Sequence, residues 1–376
     1  MTVAGKALLT LMATVIPVVA VAQPRLRVTT VLEIGQRYDD NLFPNPTTPV
    51  RQGDFTYRIG PRLGVAYAGR RASVSARFAR DAEAFAWHSD LDTHHARQEA
   101  AFDAAWSPGP VLRLEAGGLY EDTTMARELN IVTALETARL PARRGSTRAA
   151  VTVGLGRATR LHAEHTFTSE QTSGLPTVQA QVASVVLQRR TRESESATLT
   201  LSERLYAASG SRTRSHVFAL GWSRQVTPRA RVDIKAGPRF SDDGEMGPEV
   251  SFGVQGDLRH GSVFIEYTHT EATAVGQRTR LDVQGLSVRL RRRVHRDFAI
   301  GGGPGIYQSR AHGADAVVYR AGVDCEWRLA RQLALTGAYT WSRQQGGLTG
   351  PVLPDIIHNT FSFGLAAGSA SRQGAR

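Results

Sequence analysis

The sequence has very little cysteine, very little lysine and, after its N-terminus, no long apolar run. Cys325 is the only cysteine among 376 residues, so the chain can form neither an internal disulfide nor a cysteine-rich metal site. Cys325 falls at an apolar position, as expected for a small hydrophobic side chain. No later segment has the roughly 20 consecutive apolar residues of a membrane-spanning helix. These absences exclude disulfide-stabilised scaffolds, cysteine-ligated zinc proteins and helical membrane bundles.

The N-terminus has the pattern of a cleavable export signal. Lys6 provides the positive charge, residues 7–19 provide the apolar stretch, and Ala20-Val21-Ala22 is a small-x-small cleavage site. An uncleaved membrane anchor is the alternative, but the stretch is short and ends in the cleavage pattern. We therefore expect a signal peptide over residues 1–22 and a mature, exported chain that begins at Gln23.

Arginine supplies almost all of the positive charge. Lys6 and Lys235 are the only lysines, although the formal net charge is +12. A GC-rich genome would produce this bias without selection. Alternatively, the arginines form a basic lining that attracts anions, because a guanidinium keeps its charge and can bind a carboxylate or a phosphate with two hydrogen bonds. Nucleic acid is a poor partner for an exported protein, so we expect none.

The mature chain repeats a run of alternating apolar and polar residues, followed by a turn. In residues 317–328, for example, Val317, Tyr319 and Trp327 share one face, and Asp324 and Arg328 share the other. Only helices and closed barrels satisfy every backbone polar group inside a bilayer. The pattern predicts an all-β fold, a transmembrane antiparallel up-and-down β-barrel over residues 23–366, with a tail at 367–376. A soluble β-sandwich or a β-solenoid is the alternative.

The connections between these runs alternate in length. Short turns fall at residues 69–71, 107–110, 157–160, 226–229, 259–261 and 329–331, and longer connections fall at 39–53, 125–145, 169–177, 241–248, 271–279 and 343–355. Outer-membrane barrels have short periplasmic turns and longer outer loops. The alternation therefore places both termini in the periplasm and requires an even strand number. We predict 16–18 strands and favour about eighteen.

One long connection has a different pattern. Residues 125–139 carry apolar and acidic side chains at helical spacing, and Pro141 follows them. The segment is either a short helix in an outer loop or a plug folded into the lumen, and the spacing does not decide between these two.

The alternation also assigns side chains to the lumen. Nine basic residues fall on the polar face, and they are our candidate anion contacts: Arg58, Arg62, Arg77, Arg97, Arg113, Arg231, Lys235, Arg320 and Arg328. Carboxylates such as Glu115 and Asp324 are also predicted to point inward. The alternative is therefore that the arginines form ion pairs with them and only stabilise the barrel wall. Unpaired arginines would instead set the selectivity of a pore, as rings of charge do in channels.

Two further clusters lie close together in the sequence. One periplasmic turn is predicted to carry Arg289, Arg291, Arg292, Arg293 and Arg296. These arginines are either solvated, or they form an entry funnel for an anionic polymer or a dock for a periplasmic export partner. The run Gly301–Gly305 lacks the lysine and the following helix of a phosphate-binding loop. Glycine in a strand more commonly allows a bend or a close approach of backbones.

Metal and catalytic sites have weak support. Asp39-Asp40-Asn41, joined by Asp242-Asp243, could bind Ca²⁺, but Asp and Asn are common in turns, which we favour. His162 and His165 are three residues apart, and His94 and His95 are adjacent, so each pair faces opposite sides of a strand. No nucleophile has a base beside it. We expect no metal, no cofactor and no enzyme.

The start of the mature chain contains the motif Tyr38-Asp39-Asp40-Asn41-Leu42-Phe43, followed by Pro61-Arg62-Leu63 on the second strand. This arrangement resembles the β-barrel porin families associated with exopolysaccharide and exosortase gene clusters. The resemblance implies an outer-membrane barrel tied to polysaccharide export, and it transfers no catalytic residues. The chain departs from the usual terminal aromatic residue of outer-membrane barrels, because a tail follows Phe361 and Phe363.

These observations predict a passive, anion-favouring channel of the Gram-negative outer membrane, in exopolysaccharide export or related envelope transport. A non-conducting barrel that scaffolds an export complex is the alternative, and an outer-membrane hydrolase is third. The expected partners are outer-membrane lipid and lipopolysaccharide, together with anionic polysaccharide and periplasmic export proteins.

Overall fold

A computed structural model describes residues 26–44, 51–137, 139–277, 279–311, 313–348 and 355–368. These residues form one antiparallel sheet of eighteen strands. In chain order the strands are β1 (Leu26–Asp39), β2 (Asp54–Ala68), β3 (Ala72–Phe85), β4 (Thr93–Trp106), β5 (Leu112–Thr123), β6 (Ala142–Gly154), β7 (Thr159–Thr172), β8 (Val178–Arg192), β9 (Glu195–Ala208), β10 (Ser211–Thr227), β11 (Ala230–Ser241), β12 (Met246–Leu258), β13 (Gly261–Ala272), β14 (Leu281–His295), β15 (Phe298–Ala311), β16 (Ala314–Ala330), β17 (Leu333–Gly346) and β18 (Ile356–Gly368).

The sheet closes on itself. Each strand pairs with its neighbours in sequence, and β1 pairs with both β2 and β18. Closure gives every strand two partners, so the barrel has no free edge. The predicted fold class and the favoured strand number of eighteen are confirmed. The predicted signal peptide lies outside the described residues, and β18 extends to Gly368, two residues into the predicted tail.

The two faces of the wall follow the alternation in the sequence. Leu63 pairs with Phe78 on the outer face, where both side chains are exposed. One residue further along β2, Arg62 pairs with Ala79 on the inner face. Successive side chains of a strand point to opposite sides, and directly paired residues of neighbouring strands point to the same side. One pair of known orientation therefore assigns the inner and outer residues of each regularly paired strand.

The two ends of the barrel differ. At one end, which we call the turn end, tight connections such as residues 69–71 and 259–260 join the strands. At the other, which we call the loop end, most connections are longer, with hairpins such as Ser209–Gly210 as exceptions. Ser209 and Gly210 have φ values of 52° and 79°, which suit a two-residue hairpin.

Two loop-end connections fold into the barrel. The first, residues 124–141 (Ala138 is not described), joins β5 to β6 and is called the constriction segment below. The second, residues 273–280 (Arg278 is not described), joins β13 to β14. Leu135 of the constriction segment is buried against Leu281, Val283 and Val318 of the opposite wall. Of the two predicted alternatives, the structure has the segment inside the lumen.

The helical spacing of the constriction segment is misleading. Among its described residues the only helix is the short 3-10 turn Ala126–Leu129, and the other described residues form turns and irregular chain. Some of its polar groups have partners on the barrel wall, such as the backbone N–H of Glu136, which donates to Gln344 Oε1 at 2.9 Å. For this N–H a wall contact takes the place of a helical hydrogen bond. None of the helices in the described part of the chain has the length and hydropathy that a membrane crossing requires.

Candidate functional site

The constriction segment crosses the lumen and attaches to strands far from those it joins. Arg127 Nη2 donates to Asp39 Oδ2 of β1 at 2.5 Å. Ser342 Oγ of β17 donates to Glu136 Oε1 at 2.6 Å, and His358 Nδ1 of β18 lies 3.4 Å from the same oxygen. These contacts hold both ends of the segment against β1, β17 and β18.

The second inward connection supports the first. Asn130 Nδ2 donates to the carbonyl of Val275 at 3.2 Å, and Val275 N donates to Asn130 Oδ1 at 2.8 Å. Asn130 is only 3% exposed. A buried amide with both polar atoms satisfied by one distant backbone group fixes the relative position of the two connections. Together they narrow the loop-end half of the lumen.

The carboxylates of the constriction segment are held in their charged form. Burial raises the pKa of Glu128, but the guanidinium groups of Arg58 and Arg37 outweigh this effect and lower the pKa to about 2. Burial likewise raises the pKa of Glu136, and the hydrogen bond and charge of His358 lower it to about 2. Both side chains are therefore anions at neutral pH, and they anchor the segment by ion pairing.

The wall of the loop-end half carries buried ion pairs that sequence analysis did not predict. Arg204 Nη2 lies 2.7 Å from Glu249 Oε1, Arg239 Nε lies 3.2 Å from Glu271 Oε1, and Arg144 Nη2 lies 2.7 Å from Glu170 Oε1. The two-residue alternation along the strands places the side chains of Arg144 and Arg204 on the inner face. It does not identify their acidic partners, which lie 26 and 45 residues away in the sequence.

A cavity of 1140 Å³ lies between the constriction segment and the inner wall of β1–β4 and β13–β18. Part of its wall is formed by glycines, namely Gly285, Gly303, Gly305 and Gly322. Gly303 has a φ of 159°, and a Cβ there would come within 1.9 Å of the Val288 carbonyl oxygen. The glycine run therefore allows a close approach of backbones, and it leaves a wall without side chains beside the cavity.

All nine predicted basic residues lie on the inner face, and eight of them have an acidic partner. The pairs are Arg58–Glu83, Arg62–Asp81 at 2.5 Å, Arg77–Glu99 at 2.9 Å, Arg97–Glu99 at 3.2 Å, Arg113–Glu115 at 2.8 Å, Arg231–Asp233 at 2.8 Å, Lys235–Glu249 at 3.7 Å and Arg328–Glu326 at 3.8 Å. Arg320 is the exception, with no ion pair among the described residues. Whether any of them contacts an anion stays a prediction.

Arg289 corrects one expectation. It was predicted to lie in a periplasmic turn with Arg291, Arg292 and Arg293, but all four belong to β14, and the turn itself is Arg296-Asp297. The run of arginines keeps the strand's alternation, so Arg289 faces the cavity that Arg320 also lines. Like Arg320, it has no carboxylate within ion-pair distance in the described part of the chain.

The motif near the start of the chain has a structural role. Asn41 N donates to Asp39 Oδ1 at 3.1 Å, which is the predicted turn chemistry. Leu42 is buried with Phe85 and Met125, and Phe43 packs against this cluster. The motif thus supports the first residues of the constriction segment. Tyr38 packs against Phe55 in a tilted arrangement, with ring centroids 4.8 Å apart.

The alternative of a calcium site joined Asp242-Asp243 to the motif Asp39-Asp40-Asn41, and the structure does not show this contact for Asp243. Asp243 pairs with Arg280 and not with the motif. Asp39, Asp40 and His358 do place ligand atoms within 4.8 Å of one another. However, the Asp39 carboxylate already accepts from Arg127, and His358 Nε2 lies 2.7 Å from its other oxygen. A guanidinium therefore neutralises the charge that a cation would need.

The closed antiparallel barrel has the fold of outer-membrane porins. OccK2 (OpdF) of Pseudomonas aeruginosa superposes with a TM-score of 0.51 at 9% identity, covering 91% of this chain and 98% of that chain. OccK9 (OpdG) of the same organism gives 0.50 at 11% identity, with 91% and 98% covered. A further crystal structure of OccK2, in complex with glucuronate, gives 0.51 at 9% identity with the same coverage. No family model and no curated protein matches the sequence.

Proposed function

We propose that this protein is a passive, anion-favouring channel of the Gram-negative outer membrane for small carboxylated solutes. The loop end faces the exterior and the turn end faces the periplasm, as is usual for such barrels. The observation that carries the proposal is the pair of arginines, Arg289 and Arg320, that line the cavity without a carboxylate partner.

Unpaired guanidinium groups attract anions to the part of the cavity beside the glycines of β15, although Glu266 and Asp324, which also line the cavity, have no ion pair among the described residues either. An arginine that is already bound to a carboxylate contributes little net charge to a passing solute, and this describes most of the inner wall. Arg289 and Arg320 lie on either side of the glycines of β15, so both guanidinium groups have room beside them. Each can offer two parallel hydrogen bonds to a carboxylate, and a bidentate contact of this kind is stronger than a neutral hydrogen bond.

The constriction favours small solutes over polymers. The segment that narrows the loop-end half is attached by buried ion pairs, and the space beneath it is a cavity of 1140 Å³. The glucuronate bound by OccK2 is a carboxylated sugar of the size that such a cavity suits. Export of an intact exopolysaccharide, which the motif resemblance implies, would need the segment to move, and it remains a prediction.

Solute uptake into proteoliposomes tests the proposal. Glucuronate and glucose have similar sizes and differ by the carboxylate, so their relative rates report charge preference at constant size. We expect glucuronate to enter faster than glucose, and the preference to fall when Arg289 and Arg320 are both replaced by alanine. Equal rates would contradict the anion preference. No uptake of either sugar by folded, inserted protein would favour the non-conducting scaffold.

A further inference from the structure

The outer face of the barrel carries an unusual row of polar side chains. His165 of β7, Ala183 of β8, Glu203 of β9 and His216 of β10 are successive register partners, so they lie side by side across four strands. All three polar members are exposed or half-exposed on the face that carries the apolar side chains elsewhere. Ionisable groups on the lipid face of a barrel are costly unless they lie near a headgroup layer or have a partner there.

An apolar groove of 880 Å³ lies along this row. On the turn-end side of the polar row, the next row consists of Val151, Ala163, Val185, Leu201 and Phe218, which pair in succession. Alanines form the floor and the larger side chains form the walls. The polar row therefore bounds the loop-end side of a groove whose other outward-facing side chains are apolar.

Basic side chains lie immediately above the groove. Arg214 of β10 lies two residues nearer the loop end than His216, and its Nε is 3.1 Å from Glu203 Oε1. The side chains of Arg214 and Glu203 are 53% and 49% exposed, so the guanidinium keeps donors free. Arg212, one alternation further, is exposed and has no ion pair within the described ranges.

From this geometry we infer that the groove binds a phosphorylated lipid of the outer leaflet, the lipid A part of lipopolysaccharide. The occupant must be apolar where it contacts Val185, Leu201 and Phe218, and anionic where it meets Arg212 and Arg214. A phosphate ester on acyl chains meets both conditions, whereas a neutral lipid leaves the arginines unused and a soluble anion leaves the groove unused. Glu203 neutralises part of the charge of Arg214, which leaves Arg212 and the two histidines to complete the headgroup site.

Native mass spectrometry with diphosphorylated lipid A as the probe tests the site. The unmodified protein should retain one lipid A more tightly than the monophosphorylated form. Replacing Arg212 and Arg214 by alanine removes charge-assisted hydrogen bonds and should weaken retention about tenfold. The matched control is Arg343→Ala, because Arg343 also lies on the outer face near the loop end and pairs with Asp355, on the opposite side of the barrel. The control should retain lipid A fully.

A second variant tests the groove independently of charge. Ala183→Leu fills the floor and leaves both arginines in place, so it should also reduce retention while the protein still migrates as a folded barrel on unheated gels. Displacement of the lipid by inorganic phosphate alone would assign the arginines to a soluble anion and overturn the proposal. So would equal retention by the double arginine variant and by Arg343→Ala.

Discussion

The constriction and the cavity beneath it both carry inward arginines, but they differ in what those arginines contact. Near the loop end, Arg127 and Arg239 are buried, and each contacts more than one carboxylate. In the cavity beneath, Arg289 and Arg320 face glycines and have no acidic partner among the residues described here. Paired arginines hold the constriction in place, and unpaired ones are left to bind a solute. We therefore assign a structural role to the arginines of the constriction and a role in selectivity to Arg289 and Arg320.

Removing the constriction should have the largest effect. If residues 127–137 are replaced by a short Gly-Ser linker, single-channel conductance in a planar bilayer should rise several-fold, because the barrel wall closes through its own backbone hydrogen bonds without the segment. Unchanged conductance in a correctly folded variant would mean that the segment does not limit the pore.

The ion pairs of Arg127 and Arg113 allow a buried pair to be compared with an exposed one. Arg127→Ala leaves the buried carboxylates of Asp39 and Glu136 with only part of their compensating charge, from Arg37 and His358, and it should lower the stability of the constriction by about 3 kcal/mol. Arg113 is 54% exposed and pairs only with Glu115, so Arg113→Ala should cost about 0–1 kcal/mol. Denaturant unfolding of the two variants in the same detergent measures the difference. Equal losses would mean that burial does not decide how much these ion pairs contribute.

Gly303 and Gly253 provide a backbone comparison within the inner wall. Gly303→Ala forces a Cβ against the Val288 carbonyl at a φ of 159°, and it should destabilise the barrel by about 1–3 kcal/mol. At Gly253 the nearest atom to an added Cβ is 4.0 Å away, so Gly253→Ala should be nearly neutral. Thermal unfolding, followed by gel mobility, tests both. A neutral Gly303→Ala would mean that the glycine wall is not required.

Acid should loosen the constriction only at low pH. The pKa values of Glu128 and Glu136 fall from an ordinary 4.5 to about 2 in the folded protein. Their contribution is therefore complete above pH 4.5 and is lost as the pH falls towards 2. Conductance should stay constant from pH 7 to pH 5 and rise below pH 4. The double variant Glu128→Gln with Glu136→Gln should lose this dependence. A rise near pH 6 would point to histidines instead.

The strands and their faces could be predicted from the sequence because a two-residue period is a local signal. Arg58, Arg113 and Arg320 were assigned to the inner face by that period alone. The interior of the barrel could not be predicted in the same way. Arg204 pairs with Glu249, and Asn130 bonds to Val275, across 45 and 145 residues. Such partners depend on curvature and loop path, which no local pattern records.

Two particular errors show where local signals mislead. The arginines of β14 were assigned to a turn by the predicted topology, although Arg289, Arg291 and Arg293 keep the alternation of the strand. The spacing in residues 125–139 suggested a helix, because the side chains that pack against walls and those that pack along a helix can recur at the same intervals. In both cases tertiary contacts determined the conformation.

The most direct test of the account is the reversal potential of the refolded mature protein in a planar bilayer with a salt gradient. The account predicts anion selectivity that is reduced when Arg289 and Arg320 are both replaced by alanine, and that is retained in Arg113→Ala, whose arginine is already paired. Cation selectivity in the unmodified protein, or equal effects of the paired and unpaired arginines, would contradict the claim that the unpaired arginines set the selectivity.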